Sequence, residues 1–282
     1  MRAEQFTDPL TFHGEGPMWW PQHQRLFWVD MLGGDVLHCR SDATDITRRH
    51  VGKIAAFLRP RTNGGWVVAT EREILLAESV DGEFMSTGEQ WTDPGVRMNE
   101  GSGDPHGNLW FGSMAYDQAP GAAALYRMTP EGTVSLVFDH VTISNGLDWH
   151  PDGVRAFYND TPTRRIDTFD FDGTQVTDRR PFAEIQGDGN PDGLCVDSQG
   201  GVWTAVWGGS AVQRYGADGR PDEVVELPVP HVSACTFGGA DLDELFITTS
   251  QQDVPPDQLG VSGAVFRAKV GVKGQPVRAF AG

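Results

Sequence analysis

Short apolar runs alternate with clusters of Gly, Pro, Asp and Asn along the whole chain. Leu26–Asp30 is followed by Asp35–Cys39, Gly65–Ala69 by Ile74–Ala77, and Leu109–Ser113 by Ala124–Arg127. Ala156–Tyr158 leads to Ile166–Phe169, Val202–Val206 to Val212–Tyr215, and Leu245–Thr248 to Ala264–Arg267. Each run has the length of a strand, and turn signals such as Asp104-Pro105-His106-Gly107, Pro130-Glu131-Gly132 and Asp218-Gly219 separate them. No stretch sustains a 3.6-residue period, so helices are expected to be scarce. The pattern divides into six units, and 282/6 gives 47 residues each. Even spacing, short strands and periodic aromatics predict an all-β fold, a six-bladed β-propeller with four-stranded antiparallel blades, as a single domain over 1–282. A β-sandwich could show similar turn spacing but has no reason to repeat one phase six times.

The repeat carries chemistry. Glu15, Asn99, Asn145 and Asp192 each open a short apolar segment, and each precedes an aromatic residue at nearly constant distance. The spacings are 12, 11, 12 and 11 residues, ending on Phe27, Trp110, Phe157 and Trp203. Equal phase in a ring of repeats places the four side chains together near the axis. Carboxylates and amides converging there call for a cation between them. Counting back twelve from Trp66 and Phe246 lands on Ile54 and Ala234, so two units lack the oxygen ligand. A requirement of the turn alone would be expected in all six. Pro151-Asp152-Gly153 shares its tripeptide with Pro191-Asp192-Gly193 but lies out of phase; Asp152 reads as a turn and Asp192 as a ligand. Arg97 and Asn99, two apart on a strand, project to one face.

Composition narrows the function. A net charge of −17 argues against nucleic acid as a partner. Cys39, Cys195 and Cys235 form no CxxC pair and no disulfide framework, which fits a reducing cytoplasm. The Met1–Gln5 start lacks a long apolar core, so no signal peptide is expected, and no run approaches membrane-span length. His13, His106 and His231 are scattered without metal-like spacing, and His106 reads as a turn residue. There is no GxSxG, HExxH or phosphate-cradling loop, so serine-type catalysis is unsupported. No obligate protein partner is evident.

These segments together resemble the SMP-30/gluconolactonase (regucalcin-like) family of six-bladed propellers. The resemblance rests on Gly14-Glu15-Gly16-Pro17, Arg97-Met98-Asn99-Glu100-Gly101, Asp104-Pro105-His106-Gly107 and Ser144-Asn145-Gly146-Leu147-Asp148-Trp149. It continues through Phe169-Asp170-Phe171-Asp172, Pro191-Asp192-Gly193-Leu194 and Phe237-Gly238-Gly239, in order across essentially the whole chain. It implies one divalent metal on the axis, held by Glu15, Asn145 and Asp192, with Asp192 also in the proton-transfer role. It implies substrate contacts from Arg97, from Asn99 (which in relatives touches metal or substrate) and from Asp117 in a mobile loop. One departure is that relatives usually read Arg-x-Asn-Asp-Gly, whereas here Glu100 replaces the aspartate.

The expected reaction is metal-dependent hydrolysis of a sugar lactone to the aldonic acid. All-oxygen ligands favour Ca²⁺, with Zn²⁺ or Mn²⁺ as alternatives. The metal polarises the lactone carbonyl and Asp192 acts as general acid/base. Competing readings are a hydrolase of other esters or organophosphates, a non-catalytic calcium-binding protein, and a scaffold. Selectivity is expected in the loops Ala115–Ala123 and Gln251–Gly260. The ring is expected to close by pairing of Glu4–Phe12 with the last blade near Val277–Ala281.

Overall fold

The structure, a computed structural model, describes all residues from Met1 to Gly282. Six four-stranded sheets account for nearly all regular structure. After the short N-terminal strand β1 (Glu4–Gln5), blade 1 comprises β2 (Gly14–Trp20), β3 (Arg25–Asp30), β4 (Asp35–Arg40) and β5 (Thr47–His50). Blade 2 is β6 (Ala55–Pro60), β7 (Trp66–Thr70), β8 (Glu73–Ala77) and β9 (Met85–Glu89). Blade 3 is β10 (Val96–Gly103), β11 (Leu109–Ala115), β12 (Ala123–Met128) and β13 (Val134–Val141). Blade 4 is β14 (Ser144–Trp149), β15 (Arg155–Asp160), β16 (Arg165–Phe171) and β17 (Val176–Glu184). Blade 5 is β18 (Asn190–Val196), β19 (Val202–Trp207), β20 (Ala211–Tyr215) and β21 (Pro221–Glu226). Blade 6 takes β22 (Val232–Gly238), β23 (Glu244–Thr249) and β24 (Phe266–Lys269). Helical structure is confined to two single 3₁₀ turns, and no helix is long and apolar enough to cross a membrane.

The first strand of each blade lines the axis. Neighbouring inner strands touch in the cyclic order β2, β6, β10, β14, β18, β22 and back to β2. Aromatic side chains fill the wedges between blades, as the repeat predicted. Phe27 meets Trp66 edge-on at 5.9 Å, Trp110 meets Trp149 at 5.3 Å, and Trp203 meets Phe237 at 5.9 Å. Two of these rings are also anchored by the turn before them. The Trp110 indole N–H donates to Asp104 (2.8 Å) and that of Trp203 to Asp197 (3.0 Å), each six residues upstream.

Ring closure differs from the sequence expectation in its partner. Glu4–Gln5 does join the last blade, as its outermost strand, but it pairs with Arg267 and Phe266 of β24. Val277–Ala281 is not part of that sheet. The chain leaves β24 and crosses the lower end of the ring as a strap. Gly274 N bonds Leu242 O, and the Gln275 amide reaches Trp149 O and Val196 O. Phe280 N bonds Pro60 O, and Ala281 N bonds Gly107 O. The physical reason is apolar. Phe280 is buried at 1% exposure in the core shared by blades 1 to 3, a burial unavailable at a sheet edge. Phe280→Ala is expected to lower the unfolding free energy by about 3–5 kcal/mol, the usual cost of deleting a buried phenyl ring, as measured by urea unfolding.

Candidate active site

The inner strand of every blade breaks register at one phase. The shifts fall between Glu15 and Met18, Ala55 and Phe57, Met98 and Gly101, Ser144 and Leu147, Pro191 and Leu194, and Val232 and Ala234. Such bulges kink a strand and re-aim a side chain. In blades 1, 3, 4 and 5 the re-aimed residues are Glu15, Asn99, Asn145 and Asp192, and all four line one axial cavity of about 450 Å³. The residue three positions later pairs with the aromatic in each of these blades: Met18 with Phe27, Ser102 with Trp110, Asp148 with Phe157, and Cys195 with Trp203. In blade 2 this register runs through Leu58 and Val68, not Trp66, so the equivalent residue is Ala55, one beyond the count from Trp66. In blade 6 it is Ser233, whose hydroxyl is taken up by Gly14 O at 2.5 Å. Neither blade adds a carboxylate or an amide.

The amides form a directed relay. The Arg97 guanidinium donates to Asn99 Oδ1 at 2.8 Å. Asn99 Nδ2 donates to Asn145 Oδ1 at 2.9 Å and to Ser144 O at 2.9 Å. Asn145 Nδ2 donates to Thr161 Oγ1 at 2.7 Å. Asn145 Oδ1 accepts one of these bonds, which leaves its second lone pair for a further partner. Arg97 is thereby placed beside Asn99 at the cavity, as the two-residue spacing suggested.

The carboxylates lack such compensation. Glu15 is 4% and Asp192 5% exposed. Glu15 Oε2 accepts only the N–H of Gly16, at 2.9 Å. Burial, followed by the charge of Glu100, pushes the Glu15 carboxyl up to about 8. Burial and then the charge of Glu15 hold Asp192 well above the ordinary range. Arg97 opposes both shifts without overcoming burial. Burial lowers Arg97 itself to about 10, so it stays charged at neutral pH. Two buried carboxyls and an oriented amide oxygen facing one cavity suit a hard divalent cation, and Glu15, Asn145 and Asp192 could hold it. No group of three or more His, Cys, Asp and Glu side chains is placed to hold a metal ion, so the set depends on its amide.

Several contributors were not foreseen. Asp30 and Asp160 each lie fifteen residues after a ligand, at the end of the blade's second strand. Asp30 accepts the N–H groups of Phe12 and His13, and Asp160 those of Thr142 and Ile143, which clamps the entry to β2 and β14. Asn159 donates to Asp192 O at 2.6 Å and to Thr204 at 3.0 Å, steadying the β18 bulge. The common phase of Asp30 and Asp160 was a readable signal. His13 also lines the cavity; its Nδ1 lies 2.7 Å from Ser250 Oγ, and burial lowers it to about 3, so it is neutral.

Asp117 lies elsewhere. Its side chain is exposed, its carboxylate accepts the N–H of Ala119 at 3.0 Å, and it does not line the cavity. The neighbouring Gln118 does, at a left-handed φ of 55°. From the other selectivity loop, Gln252 and Asp253 reach the cavity. Glu100 faces away from this cavity. It lines a small void at the lower end of the axis with Arg59, Asp148 and the strap residues Gln275 and Arg278. Its extra methylene therefore does not reshape the upper site.

Residues 13–251 match the family described as the SMP-30/gluconolactonase/LRE-like region. The chain belongs to that family. It is 32% identical to regucalcin of Danio rerio over 279 residues, covering 95% of each chain. A calcium-binding regucalcin of Agrobacterium tumefaciens superimposes with a TM-score of 0.90 at 25% identity, covering 99% of each chain. A gluconolactonase of Xanthomonas campestris superimposes with a TM-score of 0.75 at 25% identity, covering 92% of this chain and 86% of the other.

The raised carboxyls set a pH dependence. The folded metal-free protein keeps a proton on Glu15 that the unfolded chain releases above its ordinary 4.5. Folding stability therefore falls as pH rises from about 4.5 to about 8. Thermal melts of EDTA-treated protein should show Tm falling across this window, and excess Ca²⁺ should abolish or reverse the slope. Glu15→Gln should make the slope shallower without metal, leaving the part due to Asp192, and remove the Ca²⁺ response.

Proposed function

We propose that this protein hydrolyses a sugar lactone to the corresponding aldonic acid, using a divalent cation held by Glu15, Asn145 and Asp192. The observation that carries the reading is the pair of buried, unpaired carboxyls beside an oriented amide relay in one axial cavity. Membership of a family that includes gluconolactonases supports the reaction class. The lining supports the substrate class: of fifteen residues around the cavity, three are hydrophobic. Ligand sites are ordinarily mostly apolar, so a lining this polar suits a hydroxylated ring better than an aryl ester or an alkyl organophosphate. The all-oxygen donor set favours Ca²⁺.

When bound, the cation supplies Lewis-acid polarisation of the lactone carbonyl and charge stabilisation as the carbonyl oxygen becomes anionic. Asp192 accepts a proton from the attacking water and returns it to the ring oxygen as the C–O bond breaks. Arg97 and Asn99 orient substrate oxygens; the guanidinium is pinned through Asn99 Oδ1 and Met98 O. Asp117, on the exposed rim of the loop, would contact only a substrate that extends past Gln118.

Asp192→Asn should keep the fold and lower kcat by about 10²–10⁴-fold, the usual worth of a general acid–base. A pH-indicator assay over a panel of aldonolactones, with Ca²⁺, Zn²⁺, Mn²⁺ or Mg²⁺ restored to EDTA-stripped protein, reads this out. Full activity in the metal-loaded variant would remove Asp192 from the role. Arg97→Ala should raise KM by about tenfold or more, since an oriented guanidinium contact to substrate is lost.

A further inference from the structure

Met114 and Trp207 lie fifteen residues after Asn99 and Asp192, as Asp30 and Asp160 do after Glu15 and Asn145, but four residues past the aromatic anchors Trp110 and Trp203 where the two aspartates lie three past Phe27 and Phe157. Asp30 and Asp160 are consumed in clamping the inner strands. Met114 and Trp207 instead line the cavity. Trp207 is the one large aromatic in that lining, and it is held from three sides. It pairs with Asn190 across β18 and β19 and bridges to His231 of the next blade. The His231 ring stacks on its face, with centroids 4.2 Å apart and planes 12° from parallel. The His13 ring meets it edge-on at 5.7 Å. One indole face is thus covered by His231, and the half-buried ring is part of the lining of a mostly polar cavity.

A rigid aromatic in a polar cavity suits a ligand that is hydroxylated at its edges and hydrocarbon on one ring face. The electron-rich π face attracts polarised C–H groups, and a ring already immobilised loses little entropy on contact. We propose that Trp207 is a sugar-ring platform: the C–H face of the cyclic polyol rests on its indole while the polar floor takes the hydroxyls and carbonyl. This rests on the sugar-lactone reading and makes Trp207 a specificity-determining residue beyond the metal, proton-transfer and arginine positions.

The test uses metal-loaded full-length protein and the variants Trp207→Leu and Trp207→Phe. D-Glucono-1,5-lactone is the kinetic probe. 1,5-Anhydro-D-glucitol, which has the sugar ring but no carbonyl to hydrolyse, is the calorimetric binding probe. Trp207→Leu should raise KM and weaken polyol binding by at least about fivefold while kcat falls less than about threefold. Trp207→Phe should stay within about threefold on all three measures, because it retains a π face. Unchanged KM and polyol affinity in Trp207→Leu would overturn the platform, as would a kcat loss equal to the KM rise, or no polyol binding by the unaltered protein. If Trp207→Leu loses its Ca²⁺-dependent rise in Tm, its site has collapsed. A Trp207→Phe chain that keeps the Tm response but loses polyol binding then overturns the platform, and one that keeps both supports it. Absence of turnover on every lactone defeats the lactonase reading alone; the polyol titration still decides the platform.

Discussion

Two largely buried carboxyl groups share the axis of this ring and one cavity, with no ion pair to either. The ordinary response to such burial is neutralisation, and Glu15 and Asp192 are held protonated far above the usual carboxylate range. A divalent cation offers the other response, in which both groups ionise and the positive charge replaces the missing solvent. Much of the local architecture serves this choice. Six register breaks aim residues at the axis, Asp30 and Asp160 clamp the strands that carry Glu15 and Asn145, and the Arg97–Asn99–Asn145–Thr161 relay presents an amide oxygen of fixed direction.

The two ends of the axis are built differently. The upper end opens through a polar cavity rimmed by loops that contribute Gln118, Gln252 and Asp253. The lower end is stopped by the C-terminal strap, which leaves a small void beside Glu100, Asp148 and Arg59. Glu15 and Asp192 line the cavity at the upper end of the axis, away from the strap. The rim loop bearing Tyr116 is tied to blade 2, where the Tyr116 hydroxyl and Lys53 both bond Glu71.

Much of this was legible because a propeller repeats its geometry along with its sequence. Equal phase put Glu15, Asn99, Asn145 and Asp192 in one cavity, and the same logic would have exposed Asp30 and Asp160, three residues past the aromatic anchors Phe27 and Phe157, and Trp207 one residue further on, four past Trp203. It failed where an anchor belonged to a different register: Trp66 misplaced the blade 2 position by one residue, and Val68 is the true equivalent. It had least to say about segments outside the repeat. Loop positions carry no phase, so Asp117 and Gln118 could not be told apart before one turned outward and the other inward. The tail after Lys269 has strand-like composition, yet it seats Phe280 in a core that no local pattern announces.

A divalent cation bound at the axis is expected to displace the protons that burial holds on Glu15 and Asp192. Calorimetric titration of Ca²⁺ into EDTA-stripped protein near pH 6.5, in buffers of different ionisation enthalpy, measures the displacement directly. Binding should be coupled to the release of about one to two protons, falling toward zero in the Glu15→Gln, Asp192→Asn double variant. Ca²⁺ binding without proton release, or no binding by the unaltered protein, would contradict it.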